Sequence, residues 1–81
     1  MYRLVLPKKV QREISEIDKR YIDRVRRTLS LIEQSPSVGK KLEGKFKLFH
    51  SYQVWPYRII YKIKEKNLIV IKIGHRQSVY K

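Results

Sequence analysis

Pro56-Tyr57-Arg58-Ile59-Ile60-Tyr61-Lys62-Ile63-Lys64 is the stretch on which the fold turns. Its branched and aromatic side chains suit an extended strand bounded by a proline. Successive side chains on a strand project to opposite faces. Ile59, Tyr61 and Ile63 therefore share one face, and Arg58, Ile60, Lys62 and Lys64 the other. The first set suits a core, while the second puts three cations on the face outside it. Residues 48–55 and 68–74 carry the same Ile, Val, Tyr and Phe character. They are separated from the central run by Pro56 and by Glu65-Lys66-Asn67, which predicts an antiparallel three-strand meander.

Upstream the period changes. Residues 2–6 alternate as a short strand, and Pro7 marks either a turn or the first position of a helix. From Lys8, the apolar positions Val10, Ile14 and Ile17 recur at helical spacing with charges between them. Asp18 is placed to cap a second helix, in which Ile22, Val25, Leu29 and Ile32 form a stripe that Ser35-Pro36 ends. These stripes predict a helical hairpin. One long helix over residues 8–34 is the alternative, because neither Gly nor Pro separates them. Residues 35–47 hold two of the three glycines and are rich in lysine, which predicts an exposed basic connection. The order is β-α-α-β-β-β, an α+β fold with the hairpin packed on one face of an antiparallel sheet. The other sheet face is left to solvent or ligand.

A chain of 81 residues supports one core, so residues 1–81 form a single domain. Without cysteine there is neither a disulfide nor a thiolate zinc site, and only His50 and His75 offer imidazole ligands. No cofactor or metal is expected. The apolar run at the start is too short for a signal peptide, and no later run reaches membrane-spanning length. A cytoplasmic protein with no membrane partner is expected. Its net charge of +13 favours a polyanionic partner such as nucleic acid, although a merely soluble surface or an acidic protein fits charge alone. Residues 35–81 carry eleven basic and two acidic groups against nine and five in residues 1–34. The C-terminal half is the expected contact surface.

The run Pro56 to Ile63, followed by Ile73-Gly74-His75-Arg76-Gln77-Ser78-Val79-Tyr80, resembles the C-terminal signature of the RelE/ParE superfamily of type II toxin-antitoxin systems. There, a Tyr-Arg-apolar-apolar-Tyr strand precedes one ending near Gly-His/Lys-Arg and a later Tyr. The resemblance extends over essentially the whole chain and lies closest to the RelE-like branch. It implies a toxin acting as a ribosome-dependent endoribonuclease, an mRNA interferase, whose partners are the ribosome, mRNA and an acidic RelB-like antitoxin in a hetero-oligomer. ParE branches act on DNA gyrase, which is the alternative. A catalytically silent RNA- or protein-binding module is the third reading.

Attack of a 2'-hydroxyl on phosphorus needs a group to take the proton, cations for the phosphoryl charge and a donor to the leaving oxygen; no metal is obligatory. Arg58 is the candidate for bidentate phosphate contact, with a solvent-facing strand cation as the plain reading. The resemblance implies that Arg76 acts beside it, on phosphate or as proton donor. His75 is the candidate acid or base, or else a turn histidine bonded to backbone. Tyr80 stacks on a base or bonds the reacting hydroxyl, or else packs the C-terminus. Where ribosome-dependent members carry alternating Lys or Arg, this chain has His50, Ser51, Tyr52 and Gln53, leaving Lys47 or His50 as base candidates. Lys40, Lys41, Lys45, Lys47, Lys62, Lys64, Lys66 and Lys72 are expected to grip RNA phosphates without reading sequence.

Overall fold

The computed structural model describes residues 2–42 and 48–75. Strand β1 (Arg3–Val5) leads through Pro7, the N-cap residue, into helix α1 (Lys8–Ser15). Helix α2 (Lys19–Gln34) begins at Asp18, whose carboxylate accepts the backbone N–H of Arg20 at 2.9 Å. That cap satisfies one of the free N–H groups at the helix start and breaks what would otherwise be one long helix. A 3-10 turn over Pro36–Val38 follows, then β2 (Lys40–Lys41), β3 (His50–Val54), β4 (Tyr57–Lys64) and β5 (Asn67–His75).

The five strands form one mixed sheet in the order β1-β5-β4-β3-β2, with β1 parallel to β5 and the remaining pairs antiparallel. The meander is as predicted. The basic connection is not all loop, because Lys40 and Lys41 pair with Ser51 and His50 and make an edge strand. Two lysines carry no apolar alternation, so this strand has no sequence signature of its own.

Val10 and Ile17 from the α1 side, Val25, Leu29 and Ile32 of α2, and Val54, Ile59, Tyr61, Leu68, Val70 and Ile73 of the strands form the buried cluster on one sheet face. Tyr61 is fully buried and its hydroxyl is satisfied, donating to the Pro36 carbonyl at 2.6 Å and accepting the Gly39 N–H at 3.0 Å. The core positions of β5 are spaced by two and then by three, because Ile71 is an extra residue between the pairs Tyr61–Val70 and Ile60–Lys72. A bulge of this kind reverses which later residues of the strand face the core.

Candidate functional site

Arg58 lies on the face away from the helices, as its alternation with Ile59 requires. Its cross-strand neighbours are Gln53 on β3 and Gly74 on β5. The Arg58 Nη2 donates to Gln53 Oε1 at 3.2 Å, which aims the guanidinium along the sheet surface. Gly74 has no side chain to set against the guanidinium from β5. Further along β4 the same face carries Lys62 and Lys64. Lys40, opposite Ser51, belongs to the same face at the far edge. The surface between them is not bare: Ser51 and Ile60 are 6% and 4% exposed. Backbone register thus places Arg58, Lys62, Lys64 and Lys40 on one face, with Ser51 and Ile60 covered between them.

Two expected members are elsewhere. His75 pairs with Tyr57, and their rings meet edge to face at 6.2 Å. Tyr57 in turn meets Tyr21 of α2 at 5.9 Å, so His75 is on the helix side of the sheet and not beside Arg58. The bulge is the cause. An unbroken ladder from the Lys64–Asn67 pair would set Arg58 opposite Ile73 and leave His75 on the Arg58 face; the extra residue shifts the register by one. His50 is also on the helix side, stacked on Tyr61 with ring centroids 5.3 Å apart. Its Nδ1 is buried without a hydrogen-bond partner among the described residues. Burial first, and the Lys41 charge second, lower its pKa below the usual 6.5. His50 is a packing residue on the wrong face to serve Arg58 as a base.

Among the lysines, Lys72 is engaged: its Nζ is 3.8 Å from Glu13 Oε2. Lys41 pairs with His50 and follows the helix-side register. Lys66 sits in the β4–β5 turn. Lys45, Lys47, Arg76 and Tyr80 lie outside the described residues.

One residue had no signal in the sequence. Glu13 of α1 accepts the backbone N–H of Ile73 at 2.9 Å. Strand β1 pairs with Asn67–Ile69, so among the described residues the outer edge of β5 beyond Ile69 has no strand neighbour, and a helix carboxylate takes the Ile73 N–H. Glu13 reads in sequence as an ordinary polar position between Val10 and Ile14.

A model of the family described as ParE toxin of the type II toxin-antitoxin system, parDE, matches residues 4–80. Nothing matches among curated proteins. Among solved structures, the chain is similar to one in the RelBE2 toxin-antitoxin complex of Mycobacterium tuberculosis, at 20% identity and TM-score 0.83, covering 93% of this chain and 98% of that one. The isolated Escherichia coli RelE toxin aligns at 21% identity and TM-score 0.78, over 99% and 92% of the two chains. The archaeal RelE-RelB complex of Pyrococcus horikoshii gives 23% identity and TM-score 0.78, over 96% and 98%. At these identities the structural likeness speaks for the fold.

Proposed function

This chain belongs to the ParE toxin family of type II toxin-antitoxin systems, within the RelE/ParE superfamily, and from that premise we propose that it is a ribosome-dependent endoribonuclease that cuts mRNA and stops translation. The observation that carries this reading is Arg58, oriented by Gln53 on the helix-free face, beside the side-chain-free Gly74 and in line with Lys62 and Lys64. A row of cations along one strand suits an extended phosphate backbone.

In the proposed reaction the substrate's own 2'-oxygen bonds to phosphorus, the bond to the 5'-oxygen breaks, and the leaving hydroxyl receives a proton. The products are a cyclic phosphate and a 5'-hydroxyl end. Arg58 stabilises the charge on the equatorial oxygens. With His50 and His75 on the other face, proton transfer is assigned to the C-terminal pair Arg76 and Tyr80, with Lys47 as base candidate. The proposed partners are the ribosome, mRNA and an acidic antitoxin that covers the basic face in a hetero-oligomer. The proposed site of action is the cytoplasm.

The test is primer extension on an mRNA in a purified translation system, with wild type, Arg58→Ala and Arg76→Ala checked for folding. Losing one donor to the developing charge lowers the rate by about 10²–10³. Discrete ribosome-dependent cuts that weaken by that factor in both variants are expected. The second reading, a gyrase poison, is favoured by the ParE description of the matched family. Intact mRNA with a folded, toxic wild type, together with gyrase-linked DNA breaks, would replace the first reading by it.

A further inference from the structure

His75 was displaced from Arg58 by the bulge, and it joins a second cluster on the opposite side of the same sheet end. Its ring meets Tyr57, which meets Tyr21. The guanidinium carbons of Arg20 and Arg24 stand 5.2 and 5.9 Å from the Tyr21 ring centroid. Arg24 Nη1 reaches 3.5 Å from the carbonyl of Trp55, in the β3–β4 turn. Arg20 is neutralised by Asp18, whereas Arg24 has no carboxylate at ion-pair distance among the described residues. Trp55 is 55% exposed, and His75 and Arg24 are also exposed. A large exposed aromatic thus stands in the turn whose backbone carbonyl Arg24 reaches, and that guanidinium has no carboxylate partner among the described residues. A base platform next to a phosphate contact is how single-stranded nucleic acid is held.

Building on the proposed RNA target, we propose that this cluster is a second single-stranded RNA contact, with Trp55 stacking on a nucleobase and Arg24 holding an adjoining phosphate. The two sites adjoin. Arg58 pairs with Gly74 and the next residues along, Tyr57 and His75, pair with each other. An RNA strand rounding the end of the sheet passes from the cation row to the aromatic cluster within one strand step.

Trp55 is the single tryptophan of the chain, so its fluorescence reports this site alone. Titration with a short single-stranded oligoribonucleotide is expected to quench it in wild type. Arg24→Ala, confirmed folded by circular dichroism, is expected to weaken the half-saturation at least about fivefold, the loss of one charge-assisted contact to phosphate. Inorganic polyphosphate, which has no bases, serves as the control. No quenching by RNA, or equal quenching by polyphosphate, would overturn the proposal, as would an unchanged half-saturation in Arg24→Ala. Quenching that persists in a protein that cuts no mRNA would refute the cleavage reading and leave this contact standing. Cleavage without quenching would do the reverse.

Discussion

A Cβ on Gly39 would run into the Tyr61 hydroxyl and lie 2.8 Å from its Cζ, although φ −75° and ψ 151° suit any residue. The glycine is there for space. Gly39→Ala must push the Tyr61 ring away from its bonds to Pro36 and Gly39, and overpacking of this sort costs about 1–3 kcal/mol. The melting temperature is expected to fall by at least roughly 4 °C, since ~1 kcal/mol is worth about 4–8 °C in a domain of this size. Tyr61→Phe removes the colliding oxygen, so Gly39→Ala should cost less in that background than in wild type. Strict additivity in the double-mutant cycle would sink this account. His50 gives a pH-dependent counterpart. The fold favours neutral imidazole, through burial and then Lys41, and protonating the buried Nδ1 would create a donor with no acceptor among the described residues. The unfolded chain therefore binds more protons near its ordinary pKa of about 6.5, and stability rises with pH there. The contribution is complete above that pKa and is lost as pH falls from it towards the lower folded value. Urea midpoints from about pH 7 to 5 should fall more steeply in wild type than in His50→Gln. Parallel slopes would contradict it.

Helices and strands were legible to different degrees, for physical reasons. The α1 and α2 stripes and the Asp18 cap are local patterns, and they form the predicted hairpin. The meander follows from β-branched runs between turn residues. Strand β2, the parallel pairing of β1 with β5 and the bulge at Ile71 depend on long-range register, which has no local sequence signature. The site divides the same way. Arg58, Lys62 and Lys64 lie on the face that β4 alternation predicts, whereas the place of His75 depends on a bulge in a neighbouring strand. Glu13 is the element-scale consequence of a short β1. Glu13→Ala would leave the Ile73 N–H without its acceptor and Lys72 without its counter-charge, at a cost of about 1–2 kcal/mol. Glu13→Gln retains an amide oxygen for the same N–H and should recover most of the loss. Amide hydrogen exchange at Ile73 is the measurement. Faster exchange in Glu13→Ala than in Glu13→Gln is expected, and unchanged protection in both would show that the carboxylate does not hold this edge.

Over the whole molecule the charge of +13 is distributed by the sheet into cations that are available and cations that are engaged. Lys62 and Lys64 stand on the Arg58 face without an ion pair among the described residues, while Lys72 meets Glu13 at 3.8 Å. If the molecule acted only as a diffuse positive body, each lysine would count equally towards RNA affinity. If the cation row is a track for the backbone, their contributions differ. Each phosphate neutralised on a single strand contributes about 0.7 to the slope of log affinity against log salt, because a condensed counterion is released. Lys62→Gln with Lys64→Gln is therefore expected to reduce that slope by roughly 1.4 for a single-stranded oligoribonucleotide. Lys72→Gln should change it far less, since Glu13 already offsets that charge. Affinities measured from low to moderate salt for the three proteins decide between the alternatives. Equal slope changes per lysine would mean that net charge alone attracts RNA and that the Arg58 face has no special claim. Unequal changes, with Lys62 and Lys64 the larger, would make the helix-free face the path the backbone follows.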